Sequence, residues 1–231
     1  MGISENLVTV RHRIAAACER TGREVDDVVL IAVSKTKPIE SMVEAYAAGQ
    51  RIFGENYVQE AAQKATELKE RGIPAELHLI GPLQRNKAKL AVGLFSLIHS
   101  VDRIELALEV HKVAVLREVV QDVLIQVNVS GEVSKSGVAP ESLLELVNGL
   151  GKLNGIRLQG LMCIGRFLPE GVQVDERRAE FALLRKLREQ VSEHLGVRLP
   201  HLSMGMSDDF VLAVEEGATL VRVGSALFGA R

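Results

Sequence analysis

Short runs of aliphatic and β-branched residues recur along the chain, each followed by a longer stretch whose apolar positions return at helical spacing. That alternation predicts βα units around a parallel sheet. Eight strands are expected, over 28–33, 51–54, 76–80, 94–99, 122–128, 156–162, 198–202 and 219–223. Helices are expected over 39–48, 58–71, 85–92, 103–119, 141–151, 175–195 and 208–216, with a leading amphipathic helix over 6–20. Asp102 and Ser207 stand where helix N-caps belong. The same units could build an open doubly wound sheet, but a count of eight favours a single (β/α)8 TIM barrel. No Pro/Gly/Ser-rich linker or repeat divides the chain, so one domain over residues 1–231 is expected.

Composition narrows this picture without changing it. A length of 231 residues suits a single-domain α/β barrel of ~200 to 250 residues. With 47% hydrophobic and 25% charged residues, disordered and fibrous classes drop out. The 28 basic and 30 acidic residues are scattered, so no basic face points to nucleic acid. Cys18 and Cys163 lie far apart without metal-ligand spacing, which argues against a disulfide framework or a metal site and fits a reducing compartment. The first twenty residues carry charges throughout and lack a signal-peptide core, and no apolar run is long enough to span a membrane. A soluble, cytoplasmic protein is expected.

In a (β/α)8 barrel the chemistry sits where strands end and βα loops begin. Those positions are polar: Ser34-Lys35-Thr36-Lys37-Pro38, Glu55-Asn56-Tyr57, Gly81 to Gln84, Ser100, Asn128 and Ser130, Cys163, Ser203-Met204-Gly205-Met206-Ser207 and Gly224-Ser225. Lys35 follows the apolar run 28–33 directly. Shielding from water would lower its pKa and make the amine a nucleophile toward an aldehyde; otherwise it is a solvated loop lysine, and Lys37 is its rival. The Ser203 to Ser207 segment and Gly224-Ser225 suggest a split phosphate cup, in which glycines admit the ligand and serines and helix-start amides bind the anion. Ser207 could equally serve only as an N-cap.

Arg222, inside an apolar strand, either faces the barrel mouth, where it would keep a pyridine nitrogen unprotonated, or pairs with a glutamate such as Glu215. His78 is either a satisfied core histidine or a group lining the barrel. Asn56 and Asn128 either contact a ring or make turns. The loop 130–137 brings Lys135 toward the site or leaves it in solvent.

The strings 32–38, 53–60, 78–81, 84–87, 160–162, 202–210 and 221–229 together resemble the pyridoxal phosphate homeostasis proteins, in order and at matching spacing. The resemblance implies a barrel of the alanine racemase N-terminal type carrying pyridoxal 5′-phosphate as a Schiff base on Lys35. It also implies phosphate bound by Ser203, Gly205, Met206, Ser207, Gly224 and Ser225, Arg222 near the pyridine nitrogen, and Asn56 beside the cofactor. Residues 165–169, with Arg166 among them, depart from the small and proline-rich residues expected there.

The function implied is intracellular pyridoxal phosphate homeostasis: holding a reactive aldehyde and supplying it to apoenzymes. Racemase chemistry needs a second acid/base, supplied in alanine racemase by a further β-rich domain and the dimer partner. Here the chain ends after the eighth unit, and of its two tyrosines Tyr46 falls mid-helix and Tyr57 opens a helix. A monomeric carrier without racemase activity is therefore expected. The alternatives are a weak pyridoxal phosphate enzyme acting on amino acids and a cofactor-free Schiff-base aldolase.

Overall fold

Each apolar run becomes a parallel strand, and the strands close in chain order: β1 Val29–Val33, β2 Ile52–Glu55, β3 Glu76–Leu79, β4 Leu97–Val101, β5 Gln121–Gln126, β6 Ile156–Met162, β7 His201–Ser203 and β8 Leu220–Val223. β8 pairs back onto β1, so this is a (β/α)8 barrel and not an open sheet. The computed structural model describes residues 2–132, 135–165 and 174–229. Among them the helices are α1 Ile3–Thr21, α2 Ile39–Ala47, α3 Val58–Glu70, α4 Ala88–Ala91, α5 Ile104–Leu116, α6 Leu143–Leu150, α7 Val174–Leu195, α8 Phe210–Glu215 and α9 Ser225–Phe228.

Two apolar layers hold the barrel together. Alternate strand residues such as Leu30, Ala32, Phe53, Leu79 and Val221 point outward and meet the buried helix faces. On α1 that face is Leu7, Val10, Ile14, Ala17 and Cys18, spaced three and four residues apart as an amphipathic helix requires. The opposite parity fills the interior, where Ile31, Leu97, Leu124, Met162 and Leu220 form a separate cluster.

The same parity carries polar side chains inside. His78, His99, Ser203 and Arg222 are all buried, and their hydrogen bonds join them into a column along the barrel. Each buried polar group must find a partner, and here each finds the next.

Four expected boundaries are corrected. β4 begins at Leu97, because the amides of Leu94 and Phe95 fold back on the Ala91 carbonyl and Phe95 is buried. Ser100 consequently lies inside the strand, not after it. β7 begins later than expected, at His201 after Pro200, which has no N–H to give a ladder. Ser203 thereby becomes its last residue. The 85–92 helix is a 3-10 turn, Arg85–Lys87, followed by the short α4. Neither expected cap holds, since α5 starts after Arg103, α8 starts after Asp209, and Ser207 bonds elsewhere. No helix among the described residues is long and apolar enough to cross a membrane, and among them no His/Cys/Asp/Glu group could hold a metal ion.

The interior histidine sets a pH dependence. Burial, then the charges of His78, Arg222 and His201, lowers the His99 pKa well below its ordinary 6.5. Below pH 6.5 the unfolded chain takes up a proton that the folded chain refuses, so stability falls with falling pH, by up to about 1.4 kcal/mol per pH unit. Glu76, lowered from 4.5 to about 2 first by its hydrogen bond from His78, withdraws its own contribution as pH falls from 4.5 toward 2. Urea unfolding across pH should give His99→Gln a flatter dependence than wild type below pH 6.5; parallel curves would mean that His99 titrates normally.

Candidate functional site

A cavity of about 310 Å³ opens at the carboxyl ends of β1, β2, β6, β7 and β8. Lys35, Thr36 and Lys37 form one wall, and Arg222, Gly224, Ser225, Ser207 and Asp208 form the other. Asn56 lies between them, and Val33, Ile80, Ile164 and Met206 supply apolar surface.

The lysine wall is held by a buried ionic clamp. The Ser34 amide donates to the Gly54 carbonyl, continuing the β1–β2 pairing past the strand end. Ser34 Oγ then donates to Glu55 Oε1 at 2.7 Å. Lys64, on α3 and only 7% exposed, donates to the Ser34 carbonyl at 2.7 Å, to Glu55 Oε1 at 2.8 Å and to Glu60 Oε1 at 2.7 Å. Glu60 in turn accepts the Thr36 amide at 2.6 Å. Lys35 therefore sits between two residues whose backbones are tied to one ammonium–carboxylate cluster.

Thr36 takes φ 61°, a left-handed conformation that costs a β-branched residue energy and persists only where its surroundings impose it. Burial raises the Glu55 pKa, against the lowering effects of Lys64 and Ser34, and Glu55 Oε2 has no hydrogen-bond partner among the described residues. Lys37 Nζ donates to the carbonyls of Phe228 and Gly229, at 3.1 Å each, and so ties the end of α9 to the same wall.

The opposite wall is built on Arg222. Its backbone amide donates to the Gly205 carbonyl, Nη1 donates to Ser203 Oγ at 2.6 Å, and Nη2 donates to the Cys163 carbonyl at 2.8 Å. Burial lowers its pKa, opposed by Cys163 and Asp209. The alternative of an ion pair with Glu215 is excluded by parity: Arg222 points into the barrel, while Glu215 on α8 pairs outside it with Arg20 and Arg178. Cys163 is not a nucleophile here, because complete burial pushes its thiol up to about 12.

The loops after β7 and β8 are joined by Ser207, whose Oγ accepts the Gly224 amide at 3.2 Å and the Ala226 amide at 3.4 Å. The Met206 amide donates to Asp209 Oδ1 at 2.6 Å, and Asp209 Oδ2 pairs with Arg177 Nε at 3.1 Å. Gly205 takes φ 89°, and a Cβ there would lie 2.5 Å from Ala213 Cβ, so only glycine lets the loop turn against α8. Across the cavity, a Cβ on Gly81 would lie 2.5 Å from the Asn56 carbonyl oxygen, which explains the glycine after β3.

The structure thus brings Lys35, Asn56, Met206, Ser207, Arg222, Gly224 and Ser225 onto one cavity. It does not bring Ser203 or Gly205 to the wall, since both are buried behind it and support Arg222. His78 lies within the barrel. Asn128 makes a turn, donating to the Glu132 carbonyl and accepting from Ser130 Oγ. Lys135 reaches the Gly165 carbonyl at 3.1 Å and Glu132 at 3.3 Å. Arg166, Val133 and Ser134 lie outside the described residues. Sequence reasoning missed Glu55, Glu60 and Lys64 as the frame of Lys35, and His99 behind Arg222. The available signals were a lysine of α3 one turn after Glu60, and a histidine inside an apolar strand.

The model of the alanine racemase N-terminal domain family matches residues 6–231. A pyridoxal phosphate homeostasis protein of Aquifex aeolicus is 47% identical over 233 residues, covering 100% of this chain and 99% of its own. PipY of Synechococcus elongatus, solved with pyridoxal phosphate bound, superposes with a TM-score of 0.85 at 39% identity, covering 98% of this chain and 100% of its own. Alanine racemase of Clostridium difficile shares the fold at a TM-score of 0.73 and 17% identity, and this chain matches 57% of its length. On its sequence and its barrel alike, the chain belongs to the pyridoxal phosphate homeostasis protein family, within the alanine racemase N-terminal domain fold.

Proposed function

We propose that the chain binds pyridoxal 5′-phosphate in the cavity between Lys35 and Arg222, holds it as a Schiff base on Lys35, and supplies it to apoenzymes that require it. One observation carries this reading. A lysine held at one wall faces a buried guanidinium whose two hydrogen-bond partners are the neutral Ser203 hydroxyl and Cys163 carbonyl, with hydroxyls and loop amides beside it. A primary amine, a buried cation and an anion-binding edge form the donor set that a phosphorylated, aldehyde-bearing pyridine calls for. The bound group supplies an electrophilic aldehyde carbon and a ring nitrogen.

Lys35 Nζ would hold that carbon as the Schiff base, releasing one water, and the Lys64 clamp would keep the amine directed at the cavity. Ser207, Gly224 and Ser225 receive the phosphate, where the Ser207 hydroxyl already meets the loop amides. Asn56 and Met206 flank the ring. Arg222 would donate to the ring nitrogen and keep it unprotonated, which would withhold the electron sink that carbanion chemistry needs. Ser203 and Gly205 act through Arg222.

Tyr57 is 55% exposed and Tyr46 lies under Arg51, whose guanidinium is 4.1 Å from its ring, so neither stands on the cavity as a second acid/base. The chain works as a cytosolic, monomeric carrier in this reading. Lys37 is the second amine on the cavity lining.

Three outcomes follow. Purified protein given pyridoxal phosphate should show a visible absorbance band that borohydride traps on Lys35; Lys35→Ala should lose it and Lys37→Ala keep it. No band in wild type would sink the carrier reading. Lys64→Met leaves Glu55 as a buried uncompensated carboxylate and should destabilise the fold by about 3 to 5 kcal/mol while weakening ligand binding. Full binding by a folded Lys64→Met would detach the clamp from the site. The loaded protein should reactivate a pyridoxal-phosphate-requiring apoenzyme and leave L-alanine unracemised, whereas turnover well above that of the Lys35→Ala protein would make it an enzyme.

A further inference from the structure

Behind Arg222 the hydrogen bonds run on through the barrel to its other end. Arg222 Nη1 donates to Ser203 Oγ at 2.6 Å, Ser203 Oγ meets His99 Nδ1 at 2.9 Å, His99 Nε2 meets His78 Nδ1 at 3.1 Å, and His78 Nε2 meets Glu76 Oε1 at 3.0 Å. Ser96 Oγ also reaches that carboxylate oxygen, at 2.7 Å. The chain starts at the cavity and ends on the first residue of β3, whose side chain is 47% exposed at the amino-terminal mouth. It crosses four strands, β8, β7, β4 and β3, and its inner members Ser203 and His99 are fully buried.

With one proton on each imidazole, one arrangement satisfies every link. A guanidinium has no acceptor, so Ser203 must accept from Arg222 and is left with its own proton to give to His99 Nδ1. His99 then carries its proton on Nε2 and gives it to His78 Nδ1. His78 carries its proton on Nε2 and gives it to Glu76. The reverse order would leave the Ser203 proton without a partner in the chain and would need either a protonated Glu76 or a second proton on His78. The strong lowering of the Glu76 pKa, first by its hydrogen bond from His78, agrees with an ionised end. In that arrangement the two histidines share one tautomer, and the chain runs from a fixed cation to the Glu76 carboxylate.

We propose that Ser203, His99, His78 and Glu76 are positioning residues for Arg222, forming a one-way chain that fixes its guanidinium as a donor toward the cavity and thereby sets how firmly a pyridoxal-type ring nitrogen is held unprotonated. The ring-nitrogen part rests on the function proposed above; the ordering of Arg222 does not. Without the chain, Nη1 has no partner inside the barrel, and the guanidinium can turn away from the cavity. Glu76 acts from the far mouth, where it touches no ligand, so an effect of its substitution on the ligand separates a relay from local packing.

The test uses wild type, His99→Phe, His99→Gln and Glu76→Gln, with folding checked by circular dichroism. In the ligand-free proteins, nitrogen-15 NMR of the Arg222 guanidinium should show restricted rotation in wild type and in His99→Gln, which keeps one acceptor and one donor. His99→Phe should lose that restriction, and Glu76→Gln should loosen it in part. With pyridoxal phosphate, His99→Phe should bind about tenfold more weakly. The pH midpoint of its ligand absorbance should rise by about one pH unit as the ring nitrogen protonates more easily. His99→Gln should restore both, and Glu76→Gln should fall between. Unchanged Arg222 rotation and an unchanged midpoint in folded Glu76→Gln and His99→Phe would overturn the chain as a positioning device. A wild type that never binds pyridoxal phosphate would instead overturn the reading of the cavity, and the rotation measurements alone would then decide the chain. Should His99→Phe not fold, the partly exposed Glu76 carries both readouts.

Discussion

A guanidinium inside a closed barrel is the constraint around which the rest of this molecule is arranged. Arg222 is 4% exposed and spends its donors on neutral oxygens, so its charge is solvated by hydrogen bonds without being neutralised. A buried cation left in that state attracts electron-rich atoms to the one side where space remains, and that side is the cavity. The barrel interior below it cannot be filled by aliphatic side chains alone, because the guanidinium needs acceptors. Ser203, His99 and His78 meet that need in sequence, and the apolar cluster of Ile31, Leu97, Leu124, Met162 and Leu220 packs around them. The interior is therefore half hydrocarbon and half polar column, and the column gives the barrel a direction.

The lysine wall follows a different logic. Lys35 is held by its neighbours' backbones and not by its own strand, which has already ended at Val33. Lys64 collects the Ser34 carbonyl and the carboxylates of Glu55 and Glu60, and Glu60 fixes the Thr36 amide in a left-handed turn. A lysine in a free loop would lose several rotatable bonds' worth of entropy on binding a ligand; here most of the backbone ordering is complete beforehand. The two walls thus share one principle, preorganisation by buried charge, and differ in how the charge is compensated: internally at Lys64, and only by neutral acceptors at Arg222.

That difference bears on chemistry. The alanine racemase barrel is the same fold, and a fold by itself assigns no reaction. What distinguishes a holder of an aldehyde from a catalyst is whether a proton acceptor stands opposite the lysine and whether the ring nitrogen can take a proton. In this cavity Arg222 is a permanent donor, and neither Tyr46 nor Tyr57 is on the lining. Under the function proposed above, both features favour holding an aldehyde over transforming an amino acid bound to it.

Much of this was legible in the chain itself. Short apolar runs followed by helical periods specify βα units, and eight of them favour a barrel, because burial on both faces demands uninterrupted apolar strands. Lys35 and the serine- and glycine-rich loops were legible because their positions, at strand ends, follow directly from that pattern. Other features depended on distance in space. Whether β7 stops before or after Ser203 turns on Pro200 and on pairing with β6, and one more residue of strand moves Ser203 from the expected phosphate loop to the interior. The choice between Glu215 and the barrel interior as partner for Arg222 was decided by which side of β8 it faces. Nothing local in the sequence marks Glu60 and Lys64 as partners of Glu55, or His99 as a partner of Ser203. Sequence by itself determined the elements and the ends at which chemistry sits, since these are local consequences of hydrophobic period. Only closure of the barrel decided which polar groups meet, since a hydrogen bond between β8 and β4 is a relation between residues that no local pattern connects.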